Sequence, residues 1–209
     1  MLINAKEDIM VNFDKEYLGL GVKHIAGIDE AGRGPLAGPV SVAIVVMPLG
    51  DEDIIAGVND SKKLTEKKRE ALYDQIISKA LAYHVELIDE GVIDAINILN
   101  ATKLGMSNCI EALKGKFDLA LIDAVKLDNV DVATESIIKG DAKSYNIACA
   151  SILAKVTRDR LMVEMDKKYP GYNFAKHKGY GTKEHYECIA KLGSCEIHRE
   201  SFLKNLAEK

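Results

Sequence analysis

Gly27-Ile28-Asp29-Glu30-Ala31-Gly32-Arg33-Gly34-Pro35-Leu36-Ala37-Gly38-Pro39 ends one apolar run, His24 to Ile28, and opens another, Val40 to Val46. Both runs read as short buried strands, so the connection is strand–turn–strand. A strand alternates its side chains, which sends Asp29 and Glu30 to opposite faces. One acid can face a site while the other meets it from the rim or through a bend. Carboxylates at a strand end bind hard divalent cations through oxygen. The glycines leave main-chain N–H groups uncovered, so a ligand can approach closely. Acids, bare amides and the Arg33 guanidinium together suit a phosphodiester. The plainer alternative is an acidic pair in a surface turn, and the density of glycine and proline argues against it.

Gly32 to Gly38 also reads as G-x-G-x-x-x-G, near the dinucleotide fingerprint. That fingerprint needs a helix to open within the glycines, with its N–H groups on the phosphate. Pro35 and Pro39 lack an N–H, and a β-branched strand follows, so the fit is poor. No G-x-x-x-x-G-K run followed by Ser or Thr occurs in the chain.

Working outward, strands are expected near 24–28, 40–47, 81–87, 117–122 and 134–138. Thr65 is a candidate cap for a helix with Leu72, Ile76 and Ala80 on one face. A second helical pattern covers about 92–113. A third runs from about Ser144 to Lys168 and stops at Tyr169-Pro170-Gly171. Residues 183–206 read as one or two short helices. Strand pairs followed by strand–helix alternation predict an α/β domain, a mixed sheet covered by helices. At 209 residues the chain reads as one domain.

Two more acids close apolar stretches. Asp123 ends Phe117-Asp118-Leu119-Ala120-Leu121-Ile122-Asp123, and Asp141 ends Ile137-Ile138-Lys139-Gly140-Asp141. Functional groups of open α/β sheets gather at strand ends. Asp141 would equally suit the start of the following helix. Four carboxylates on separate segments can converge on two hard cations, and ions about 3.5–4 Å apart clamp both oxygens of a phosphodiester displacement.

Composition narrows the class. Hydrophobic residues make up 47% and Trp is absent, so the core is expected to be mostly aliphatic. No apolar run approaches the ~18 residues of a membrane helix. Lys6, Glu7, Asp8 and Asp14 near the N-terminus do not suit a signal peptide. A soluble, cytoplasmic protein is expected, with Cys109, Cys149, Cys188 and Cys195 as reduced thiols. Cys188, Cys195 and His198 have the wrong spacing for a zinc knuckle and no evident fourth ligand. The net charge is −4, but it is uneven: residues 1–138 hold 14 basic and 23 acidic side chains, and residues 139–183 hold 10 and 4. A basic segment in an acidic chain is a footprint for a polyanion, or simply a solvated helical face.

Six motifs in order resemble the type 2 ribonuclease H family, ribonuclease HII, over nearly the whole chain. They are I-D-E-A-G-R-G-P-L-A-G-P-V at 28–40, D-S-K-K-L at 60–64, L-I-D at 121–123, K-G-D-A-K-S at 139–144, I-A-C-A-S-I-L-A-K-V-T-R-D-R at 147–160 and H-K-G-Y-G-T at 177–182. The resemblance implies an RNase H-like fold, a five-stranded mixed sheet flanked by helices. A catalytic core would span about 20–170, and a C-terminal helical extension about 171–209. It implies a metal-dependent endonuclease that cuts RNA in RNA–DNA hybrids and at single ribonucleotides in duplex DNA, leaving 5′-phosphate and 3′-hydroxyl ends, as in ribonucleotide excision repair. Its metal acids would be Asp29, Glu30, Asp123 and Asp141, holding two Mg2+ or Mn2+ ions. Gly32, Arg33 and Gly34 would read the ribose 2′-hydroxyl, and Tyr180 would pack on the sugar across the junction.

One departure is Ala124, where many members have glycine. No extra N-terminal domain of the ribonuclease HIII kind is present in the sequence, and Ser201 to Leu206 shows no sliding-clamp peptide. A monomer is expected. Lys62, Lys63 and Lys143 lead the candidate phosphate contacts, ahead of Lys155, Arg158, Lys176 and Lys178. Such contacts position a duplex without reading its bases. A 2′-hydroxyl both donates and accepts, so main-chain groups can test for it. His177 and His185 read as structural histidines or as proton shuttles. The competing function is a hybrid-binding module without catalysis, which the presence of all four acids disfavours.

Overall fold

The structure is a computed structural model that describes residues 5–128 and 130–204. In chain order the elements are α1 (Ala5–Leu18), β1 (Ile25–Ala31), β2 (Val40–Val46), a 3-10 turn (Ser61–Lys63), α2 (Glu66–Lys79) and β3 (Ala82–Ile88). Then come α3 (Glu90–Ile96), α4 (Ile98–Ala112), β4 (Leu119–Asp123), β5 (Ala133–Ile137), a second 3-10 turn (Gly140–Ala142) and α5 (Tyr145–Lys168). The C-terminal part holds α6 (Phe174–His177), α7 (Lys183–Leu192) and α8 (Glu200–Leu203).

The expected five-stranded mixed sheet forms, in the order β3-β2-β1-β4-β5. β1 pairs antiparallel with β2 and parallel with β4, and β5 is parallel to β4. Every residue of β2 is buried, which is why it reads as a continuous apolar run: helices cover both faces. On one face Ala43 and Val45 pack with α1, α2 and α5 residues such as Met10, Leu72, Ile76 and Ile152. On the other, Val42, Ile44 and Val46 pack against Met106, Cys109 and Ile110 of α4. Burial of such aliphatic side chains contributes about 1.5–3 kcal/mol each.

α5 lies unusually close to β1. A Cβ at Gly27 would stand 2.1 Å from the main-chain carbon of Asn146, so only glycine allows the approach. Ser144 starts α5 as its cap, Oγ accepting the Ile147 N–H at 3.2 Å, and Thr65 caps α2 in the same way.

Some expectations need correction. β1 runs to Ala31, so Asp29 and Glu30 lie within the strand and not past its end. The helix expected over 92–113 is two helices, broken at Asn97, whose φ of 65° and ψ of 163° are not helical. Asn97 then caps α4 through its side chain. α1 and α6 were not expected. α1 is fastened by Asp14, whose Oδ2 accepts both the main-chain and side-chain N–H groups of Asn146 at 2.9 Å. The 183–206 stretch holds α7 and α8, and its last two residues lie outside the described part.

Candidate active site

Strand register brings the acids together. Ile28 of β1 pairs with Ile122 of the parallel β4, so the next residues, Asp29 and Asp123, stand side by side. Asp123 pairs with Ile137 at the end of β5, and the chain then turns through Gly140 to present Asp141. Oxygens of Asp29, Asp123 and Asp141 all lie within 4.8 Å of one another. Among the described residues this is the one group of three or more potential metal ligands so placed. Among the described residues Cys188, Cys195 and His198 form no such group.

Glu30 stands apart from these three. Strand alternation turns it the other way, and its Oε1 faces the Arg33 guanidinium at 3.4 Å. Its carboxylate still feels Asp123 and Lys62. Its Oε2 is buried and has no hydrogen-bond partner.

The electrostatics are those of crowded, buried acids only partly offset by Arg33 and Lys62. Burial, then the Glu30 and Asp123 charges, hold the Asp29 carboxyl well above the usual carboxylate range. Glu30 is raised mainly by burial, against the lowering effect of Arg33. Burial and the Asp60 and Asp123 charges raise Asp141, while Lys62 opposes them. Such clustering of buried like charges is typical of sites that receive a cation. The oxygen-only donor set and the orphaned Glu30 Oε2 fit a hard divalent ion.

The D-S-K-K-L turn supports this group from one side. Lys62 Nζ lies 3.7 Å from Asp141 Oδ2 and Lys63 Nζ 3.4 Å from Asp60 Oδ2, with both lysine side chains largely exposed. Ser61 Oγ meets Ser151 Oγ at 2.8 Å, and the Ser151 side chain bonds to Asp29. Arg69 holds the turn by donating to the carbonyls of Ser61 and Leu64. Asp60 and Ser151 were missed as site residues. The one signal was that an acid opens the D-S-K-K-L motif. Lys143 is exposed two residues after Asp141.

The glycine turn forms the other wall. Gly32 has φ +96°, and a Cβ there would meet the Arg158 Nε at 2.1 Å, so glycine is required twice over. Tyr180, a residue 42% exposed, comes to this turn: a Cβ at Gly34 would lie 4.0 Å from its Cε1. Lys155 Nζ and Arg158 Cζ sit 5.7 and 5.9 Å from the ring centroid.

One candidate phosphate contact is corrected, and two others are ion-paired. Arg158 is fully buried and donates to main-chain carbonyls, so it cannot reach a phosphate. Lys155 is paired with Asp159 at 2.8 Å and Lys176 with Glu184 at 2.7 Å. His177 and His185 are buried and stacked, centroids 4.4 Å apart. Burial pushes His185 down to about 4. His177 Nδ1 accepts the Gly179 N–H, and His185 Nδ1 lies 3.0 Å from the Tyr180 carbonyl. Both therefore buttress the Tyr180 loop as structural histidines.

The family model for Ribonuclease HII matches residues 26–205. The Ribonuclease HII of Caldicellulosiruptor bescii is 56% identical over 202 residues, covering 97% of each chain. Among solved structures, the ribonuclease H2 of Pyrococcus horikoshii superposes with a TM-score of 0.72 at 28% identity, covering 86% of this chain and 93% of that one. The RNase HII in the PCNA complex from Archaeoglobus fulgidus gives 0.71 at 28% identity, covering 85% and 94%.

Proposed function

The chain belongs to the ribonuclease HII family, endoribonucleases acting on RNA–DNA hybrids, and we propose that it cuts by metal-assisted hydrolysis, at single ribonucleotides in duplex DNA as well as in longer hybrids. The products carry 5′-phosphate and 3′-hydroxyl ends. The observation that carries this reading is the meeting of Asp29, Asp123 and Asp141 within 4.8 Å, with the Glu30 Oε2 buried and unpartnered nearby.

Asp29, Asp123 and Asp141, with Glu30 at the edge, would hold Mg2+ or Mn2+. Such a pair of ions, held there, would supply Lewis-acid chemistry: a lowered pKa for water and neutralisation of charge on the leaving oxygen. The chain's own residues do the rest. Lys62, Lys63 and Lys143 attract the phosphate backbone. Main-chain groups of Gly32, Arg33 and Gly34 hydrogen-bond the ribose 2′-hydroxyl, which DNA lacks. The Tyr180 ring packs on the following deoxyribose and fixes the scissile phosphate over the acids. The burial of the acids excludes bulk water and strengthens every charge interaction there. Among the described residues no helix is long and apolar enough to cross a membrane. The setting we propose is cytoplasmic, acting alone as a monomer in ribonucleotide excision repair.

The test is cleavage of a duplex with one ribonucleotide, set against the all-DNA duplex and a full hybrid, with Mg2+, Mn2+ or chelator. Cleavage of the single-ribonucleotide duplex and of the hybrid, none of the all-DNA duplex, and only with metal, is expected. Asp123→Asn should lose several orders of magnitude with its melting curve intact. Wild-type activity in that variant would overturn the acid assignment.

A further inference from the structure

Two fully buried arginines stand behind the glycine turn, and neither bonds a carboxylate among the described residues. Arg199 donates from Nε and Nη2 to the Gly38 carbonyl, from Nη1 to Arg33 at 3.0 Å and from Nη2 to Gly32 at 2.6 Å. Both ends of the turn are therefore pinned to one guanidinium. Arg158 is different. Its Nε donates to the Pro39 carbonyl and its Nη2 to Ala37, both at 2.9 Å, while its Nη1 crosses to the Lys178 carbonyl at 2.9 Å. Lys178 opens the loop that carries Tyr180. A main-chain bond from Leu36 N–H to the Gly179 carbonyl at 2.8 Å runs beside it.

We propose that Arg158 is a positioning residue that sets the spacing between the ribose-contacting turn and the Tyr180 ring, and so determines preference for an RNA–DNA junction. This rests on the proposed function above. The guanidinium is planar and its donors are fixed in a fork. Three acceptors on two segments, met by one rigid group, leave little freedom between those segments. The Arg158 side chain also fills the space under Gly32, so it sets the height of the turn as well. A ribose in the turn followed by a deoxyribose under Tyr180 needs both segments at one distance. A continuous hybrid presents a second ribose under Tyr180, so its cleavage leans on the turn and less on that distance. The Arg199 guanidinium bonds only to the turn, with the Phe202 ring centroid 5.1 Å away, and does not reach the Tyr180 loop, so it should serve both substrates alike.

The experiment measures kcat/KM on a single-ribonucleotide duplex and on a full hybrid, for wild type, Arg158→Lys, Arg158→Gln, Arg199→Lys and Tyr180→Ala. Arg158→Lys keeps the charge and loses the fork; Arg158→Gln keeps a short donor that cannot span to Lys178. Misplacement by about 1 Å can cost about 100-fold in rate. The expected result is that both Arg158 variants lower the single-ribonucleotide to hybrid ratio about tenfold or more, mainly in kcat. Arg199→Lys should lower both substrates in parallel. In a Tyr180→Ala background Arg158→Lys should change the ratio no further, because coupled sites are not additive. A mere loss of fold would lower both substrates by one factor and leave the ratio alone. An unchanged ratio in the Arg158 variants, with the wild-type ratio intact, overturns this proposal alone. Failure of both Arg158 variants to fold also overturns it, since the residue would then be a core support. If wild type ignores the single ribonucleotide, the functional reading itself fails.

Discussion

The main-chain N–H of Gly140 donates to Oδ1 of Asp123 at 2.7 Å. The acid at the end of β4 thus orients the turn that presents Asp141, and the turn fixes the acid. A Cβ at Gly140 would stand 2.5 Å from Ile147 Cδ1 and 3.3 Å from Asp123 Oδ1. Gly140→Ala should therefore cut roughly 10- to 100-fold more slowly, the usual cost of a small misplacement at a reacting centre. Ile147→Val removes the methyl in the way. The double variant should recover part of the loss, and no recovery would mean the clash is not the cause.

Neutralising an acid here should stabilise the protein while silencing it. Asp29 has a folded-state carboxyl held well above the usual range, so its charged form is the costly one. Stability linked to it is present below the unfolded pKa and is lost as pH rises through the folded one. In chelator at pH 7.5, Asp29→Asn should melt above wild type, yet cleave several orders of magnitude more slowly. Adding Mg2+ should raise the wild-type melting temperature and narrow the gap. A variant that melts lower in chelator would contradict the buried-repulsion account.

Asp14 gives a separate pH signature. Burial raises it from 3.8 to about 6, although Asn146 and Ser144 bond to it. Its ionisation therefore costs stability progressively between about pH 4 and 6, by roughly 3 kcal/mol in all. Urea unfolding across that window should show wild type losing stability as pH rises. Asp14→Asn should flatten this slope whatever its absolute stability, because Asn does not titrate. Equal slopes in the two proteins would sink the assignment.

Ala124 sits at φ +48°, a left-handed conformation in which a Cβ is strained by about 1–2 kcal/mol. Glycine relieves that strain and adds freedom to the unfolded chain. Ala124→Gly should gain about 1 kcal/mol, and its N–H bond to the Ile137 carbonyl should persist. Denaturant midpoints at constant slope check this. A loss of stability would show that the methyl contributes packing that outweighs the strain.

Much of this was legible in the chain. Val40 to Val46 could only be a strand covered on both faces, and Asp29, Asp123 and Asp141 announced themselves by ending or following apolar strands. Less could be read where the decisive partner is remote in sequence. α1 has no strong apolar face, and its docking depends on Asp14 meeting Asn146, 132 positions away. Arg158 carries the same charge as a phosphate-binding arginine, and nothing local tells that two of its three carbonyl partners lie 119 and 121 positions upstream. The break at Asn97 depends on one residue that tolerates positive φ, inside an otherwise helical pattern. Glu30 was assigned with the other acids, but alternation along β1 leaves it outside the close group of three.

The Arg199 clamp has a consequence for biosynthesis. The four acids belong to the first 141 residues, whereas the guanidinium that pins the Gly32–Gly38 turn arrives 58 residues after the last of them. During translation the acid cluster and its sheet are complete before the turn can be fixed. In the order of synthesis the acids precede the guanidinium that anchors the turn. A product stopped between Lys168 and Arg199 would carry every acid and Arg158, but its turn would lack the anchor on Gly32, Arg33 and Gly38.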